Sequence, residues 1–172
     1  LNRETRMLIR SATLSLIALA MGSTAAWAAP KDIAQRPDVT LALANALLTE
    51  TLAVCKAEGR NAVAAVVDRG GNLVAVQRAD NVGPHNTLAA QRKAYTALST
   101  KTPTRMLAEG ARKNPDAANL NTLDELLLLG GGVPLKVGND VIGAIGVAGA
   151  GGADMDEACA NKAISKVLTQ TL

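Results

Sequence analysis

His85 is the only histidine in the 172 residues, and Arg78, Arg92 and Lys93 all lie within eight positions of it. An imidazole nitrogen ligates metals and exchanges protons near neutral pH. Guanidinium and ammonium groups grip carboxylates through charge-assisted hydrogen bonds. These residue types suit a site that holds a metal centre through His85 and negatively charged arms through the three basic side chains. Read without a ligand, the same residues are an exposed loop histidine and a solvated helix face, with Arg78 paired to Asp80. His85 stands just before a predicted helix, whose positive end favours the neutral ring with its free lone pair. Gly83-Pro84 would fix the loop, and Asn86 and Thr87 are expected to cap the helix.

Other reactive residue types carry less. Met106 and Met155 are alternative soft ligands, although Met155 also suits packing in the first turn of a last helix. Gly130-Gly-Gly132 lacks the lysine and following helix of a phosphate-binding loop, so a tight approach to a strand is expected. Asp154, Asp156 and Glu157 could act as paired carboxylates, but their place at a helix start predicts capping and dipole interactions. A serine–histidine–acid set would need His85, and no nucleophile elbow is present.

Composition narrows the class further. The chain is 48% hydrophobic yet has no Phe, one Trp and one Tyr, so a core must be built from Ala, Val, Leu and Ile. A flat ligand would meet aliphatic walls and backbone. At the N-terminus Arg10 precedes an apolar run from Ala12 to Met21, and small residues lead to Ala26-Trp27-Ala28. This pattern predicts a cleavable signal peptide at 1–28 and a single domain at 29–172. The run is shorter than the roughly 20 residues a membrane-spanning helix needs, so no stable membrane insertion is expected after cleavage. The upstream residues 1–6 have no functional reading. Removing 1–28 leaves 15 basic against 14 acidic groups, and no basic patch interleaved with aromatics supports nucleic-acid binding. Cys55 and Cys159 then sit in an exported chain, where either a disulfide or two buried thiols satisfies the pattern. A periplasmic or secreted location follows from the same segment.

The elements that must position these residues are legible from periodicity. Asp38 is expected as the N-cap of a helix with Leu41, Ala44, Leu48, Leu52 and Cys55 on one face, ending near Gly59. Two β-branched runs, 61–68 and 73–78, flank Arg69-Gly-Gly-Asn72 and predict a hairpin. A helix over 86–100 presents Ala90, Ala94 and Ala97, small enough for close approach to a sheet. Pro103 interrupts, a short helix over 104–113 follows, and 114–121 reads as a surface loop. A second hairpin turns at Gly138-Asn-Asp140, with Gly143 and Gly146 marking close backbone contact. A last helix covers about 154–168. Two hairpins among helices predict an α+β fold, an antiparallel sheet flanked by N-terminal, central and C-terminal helices.

The run Ala64-Ala-Val-Val-Asp-Arg-Gly-Gly-Asn-Leu-Val-Ala75 with Arg78-Ala-Asp80 resembles the first motif of the GlcG/HbpS family. The segment Ala90-Gln-Arg-Lys-Ala-Tyr-Thr-Ala97 is similar to its central helix. Gly130-Gly-Gly-Val-Pro-Leu135 and Ile142-Gly-Ala-Ile-Gly-Val147, with Asp156-Glu157 and Ala160 downstream, resemble its second half. The likeness is collinear over about 38–170. It implies an antiparallel sheet flanked by helices, a domain shared with the C-terminal part of PduO-type corrinoid adenosyltransferases, frequent homo-oligomerisation and heme binding. It implies no settled enzyme activity. His85 as iron ligand, with Arg78, Arg92 and Lys93 toward the propionates, comes from residue chemistry and not from the resemblance. Three readings stand: an exported heme binder for sensing, storage or scavenging; an enzyme or accessory factor for a small organic acid, linked to glycolate-type metabolism; and an oligomeric interaction module without cofactor.

Overall fold

The computed structural model describes residues 32–171. The expected signal segment at 1–28 lies outside the described residues. The chain divides into units 1–35 and Arg36–Leu172; of the first, only 32–35 are described, exposed and without helix or strand.

The second unit opens with α1 (Leu41–Ala57), which buries Ala44, Leu47, Leu48, Thr51 and Cys55 at helical spacing. Its N-cap is Thr40, not Asp38: the Thr40 Oγ1 accepts from the Leu43 amide at 3.2 Å. Asp38 instead accepts from the amides of Val39 and Arg69, which ties the lead-in to the first hairpin. Leu41 is correspondingly exposed, at 58%.

Strands β1 (Val63–Asp68) and β2 (Leu73–Arg78) form the first predicted hairpin, and β3 (Gly132–Val137) and β4 (Asp140–Ala148) the second. The hairpins join through β1 and β4 into one four-stranded antiparallel sheet of order β2-β1-β4-β3. The α+β expectation therefore holds. Between the hairpins lie α2 (His85–Thr100) and α3 (Thr104–Lys113). The expected surface loop at 114–121 is instead a one-turn helix, α4 (Pro115–Ala118), running into a 3₁₀ turn at Asn119–Thr122. Pro115 at the first helical position and the Asn114 side chain accepting from the Asp116 amide start it. The last helix is α5 (Ala153–Thr171).

Strand periodicity builds three layers. Ala64 and Val66 of β1 point with Leu135, Ile145 and Val147 into a core shared with α1 and α5. Val63, Ala65 and Val67 point the other way, onto Ala90, Ala94 and Ala97 of α2. No aromatic ring fills that second interface, so the helix lies very close to the sheet. A β-carbon added at Gly146 would stand 2.0 Å from the Ala90 carbonyl oxygen, and one at Gly132 2.2 Å from that of Lys93. Of the two glycines expected at close contacts, Gly146 thus yields its side-chain space to the α2 backbone, whereas that of Gly143 is taken by the Val67 carbonyl and the Val39 side chain.

Two cross-links secure the elements, one within the α1–α5 layer and one across the sheet. Cys55 of α1 and Cys159 of α5 form a disulfide. Lys93, 1% exposed, donates to Asp156 Oδ2 at 2.8 Å and to the Val147 carbonyl at 2.9 Å. Asp156 Oδ1 in turn accepts from the Ala150 amide. The carboxylate expected to serve the helix start is therefore half of a buried ion pair that joins α2, β4 and α5. Removing one partner of such a pair leaves a buried charge unmatched, at about 3–5 kcal/mol. Lys93→Met should lower the urea-unfolding free energy by about that much, whereas a loss under about 1 kcal/mol would show the pair to be dispensable. The disulfide spans 104 residues, and its reduction should cost about 4 kcal/mol through chain entropy, read as a lower unfolding midpoint in reductant.

Candidate functional site

Helix α2 has two faces. Ala90, Lys93, Ala94 and Ala97 are buried against the sheet. His85, Leu88, Arg92 and Tyr95 follow one another at spacings of three and four, which places them along one other face. From that face Leu88, Arg92 and Tyr95 wall a mainly apolar groove of about 290 Å³, with Val67, Gly71 and Leu73 from the first hairpin opposite. His85 is not among the lining residues and stands one turn before Leu88, at the helix start. Leu88 is 61% exposed, and Leu73 and Tyr95 are also exposed. Gln91 and Glu125 give the groove a polar rim.

Each predicted site residue has a definite place. His85 is exposed and is the first residue of α2. Its ring lies beside Gly83, 3.1 Å from where a β-carbon would stand. The expected caps are absent, because the helix starts one residue early behind Pro84. Asn86 donates from Nδ2 to the Gly83 carbonyl, and the Thr87 hydroxyl accepts from Arg78 at 2.9 Å. Arg78 also donates to the carbonyls of Val82 and Gly83. It holds the loop that carries His85 and does not pair with Asp80. Lys93 is turned inward onto Asp156, so its ammonium faces the core instead of a surface ligand.

Arg92 is divided between two tasks. Its Nη2 donates to the Leu126 carbonyl at 2.6 Å, and the Leu127 amide donates to the Thr96 hydroxyl one turn on. Its Nε is buried and has no hydrogen-bond partner. An orphaned guanidinium N–H is costly to bury, and here it belongs to a side chain that lines the groove. Met106 is exposed and Met155 packs partly against the main core. Among the described residues no cluster of three or more His, Cys, Asp or Glu could hold a metal ion.

The hairpin wall is set by Asp68. Its Oδ1 accepts from the amides of Gly70 and Asn72, and both carboxylate oxygens meet the Asn72 side chain. The turn brings Gly71 (φ 84°) under the Tyr95 ring, where a β-carbon would come within 2.9 Å of Cε2. The sequence pointed to His85, Arg78 and Arg92 but not to Leu73, Leu88 or Tyr95. The missing signal was the 85-88-92-95 spacing, which only matters once the alanine face has been turned to the sheet.

With this geometry in view, the family comparison is direct. The family described as haem degrading protein HbpS-like matches residues 39–165. The chain belongs to that family. The crystal structure of a double mutant of HbpS from Streptomyces reticuli is 33% identical, covers 81% of this chain and 93% of its own, and superposes with a TM-score of 0.75. Protein GlcG of Escherichia coli is 37% identical over 83 residues, 48% of this chain and 60% of GlcG. The crystal structure of a PduOC–heme complex shares the fold at 23% identity, with a TM-score of 0.67 over 74% of this chain and 94% of its own. The family is thus tied by its description to heme.

The Asp68 turn makes a pH prediction. Burial pushes its carboxyl up, but hydrogen bonds from the Asn72 backbone and side chain and from Gly70 and Gly71 outweigh this and hold it below its usual value. A depressed carboxylate contributes stability that is present above the unfolded pKa, about 3.9, and is lost as pH falls through the lower folded value. Asp68→Ala should cost about 1–2 kcal/mol at pH 7. The gap from wild type in denaturation curves should narrow steadily below about pH 4; a gap independent of pH would show that the charge is irrelevant.

Proposed function

We propose that this chain is an exported heme-binding protein that holds heme in the groove between α2 and the first hairpin, with His85 as iron ligand. One observation carries the reading. A single helix face aligns the sole histidine, two exposed hydrophobic side chains and a buried guanidinium N–H without a partner. The apolar wall suits a porphyrin, the imidazole suits its iron, and Arg92 Nε–H suits a carboxylate arm. When bound, heme would supply a redox-active iron at the protein surface. The residues that would act on it are His85 as ligand, Leu88 and Tyr95 of this face with Leu73 of β2 excluding water, and Arg92 orienting a carboxylate arm. Arg78 serves indirectly by holding the loop before α2 and the helix's first turn.

The groove walls a ligand from one side only. Ligand sites enclose most of the ligand surface, so a second copy laid near β2, an edge strand of the sheet, would complete the enclosure. Homo-oligomerisation is therefore part of the reading. Export is supported by the signal-like N-terminal pattern and by the Cys55–Cys159 bridge, a bond that persists in oxidising compartments. No described helix is long and apolar enough to cross a membrane. A holding role in sensing, storage or scavenging fits this arrangement.

Titration with hemin tests it. The purified chain should produce a shifted Soret band at one heme per site, and His85→Ala should weaken binding by at least about tenfold or change the ligand-field spectrum. A wild-type spectrum identical to free hemin would overturn the proposal.

A further inference from the structure

A second concavity begins where the groove ends. Gly71 and Tyr95 line both, but beyond them the wall changes from apolar to cationic. This cleft, about 360 Å³, receives Arg36 from the lead-in, Arg69 from the first hairpin turn and Lys101 from the end of α2. Three segments distant in sequence thus deliver three positive charges to one hollow, with the Ser99 side chain beside them.

Carboxylates of Asp38, Asp68 and Asp140 border the Arg69 turn, and the first two are engaged by backbone amides. Arg69 reaches Asp140 only at 3.7 Å, with that carboxylate well exposed, and its Nη1 donates to the Pro37 carbonyl at 3.4 Å. Asp38 stands nearby, but its Oδ1 already accepts the amides of Val39 and Arg69. Arg36 and Lys101 form no ion pair among the described residues. The α2 C-terminus adds roughly half a negative charge, and Arg36 and Lys101 remain the cations without a carboxylate partner among the described residues.

Lys101 has a further oddity. It is the C-cap of α2 in the left-handed region, φ 52° and ψ 24°, where glycine is the residue of choice. A lysine there costs conformational energy that glycine would avoid. Capping alone does not explain the choice; a lysine at the wall of the cleft does.

We propose that Arg36, Arg69 and Lys101 form a binding site for a small dianion carrying paired anionic oxygens, a short dicarboxylate or a phosphate. The site is separate from the heme groove and needs no heme. Its partners are charge-assisted hydrogen bonds from two guanidinium groups and an ammonium, with the Ser99 hydroxyl as a neutral donor. Because Tyr95 and Gly71 form the shared wall, each ligand sits against the other's boundary.

The test titrates the full chain, without heme, with succinate and separately with inorganic phosphate, by calorimetry at low ionic strength. Wild type should bind at least one of them, and added salt should weaken binding. The arm that responds identifies the dianion class. Arg36→Gln should weaken it about tenfold, a loss of about 1.4 kcal/mol. Lys101→Gly should weaken it similarly while raising the melting temperature by a few degrees, because the cap strain is relieved. His85→Ala should leave it unchanged. Absence of binding by both anions at millimolar concentration would overturn the proposal, as would equal affinity in wild type and the two cleft variants. Neither result bears on hemin binding, which His85→Ala reads independently.

Discussion

The structure depends on how closely α2 lies on the sheet. Protein interiors are packed at crystal density, and a helix that faces the sheet with alanines reaches that density by bringing backbones together. Here Gly146 and Gly132 give up their side-chain space to the carbonyls of Ala90 and Lys93. The helix cannot rotate without driving a larger residue into β4. Its outward face is fixed by the same contact, so Leu88, Arg92 and Tyr95 have a definite direction toward the first hairpin.

The polar interactions reinforce that contact instead of competing with it. Asp156 and Glu157, adjacent at the start of α5, each hold a cation from another helix: Lys93 of α2 and Arg105 of α3. Arg105 also reaches Glu109 and, more distantly, Asp154. Hydrogen bonding to Glu157 first, and then its charge, hold the Arg105 guanidinium still more firmly protonated than usual. The acidic start of α5 therefore works as a clasp. The buried half of it needs perfect pairing, because an isolated charge at that depth is strongly unfavourable.

Periodicity and turn chemistry made most of the fold legible. Strand β2 runs over the expected 73–78, α3 over the expected 104–113, and both hairpins turn where Gly and Asn concentrate. The misreadings came from residues with several chemically adequate partners. Asp38 and Thr40 can both cap a helix, and only the approach of the Arg69 amide decides between them. Lys93 and Arg92 are adjacent basic residues on one helix, yet the helix turn sends one to the core and the other to the groove. Sequence spacing alone does not reveal which face will meet a sheet when the apolar residues are alanines. Asp156 was likewise read locally, as a helix-start acid, because its partner lies 63 positions away.

The disulfide changes what the chain is topologically. Cys55 and Cys159 close a covalent ring that contains all four strands, α2, α3 and the long connection between α3 and β3. That connection, with its exposed residues from Asn121 to Glu125, is the sort of segment where proteases cut. A single cut there opens the ring but releases nothing: the two halves stay joined through sulfur, each still holding strands that pair with the other's. Nicked in that connection, the chain remains one molecule.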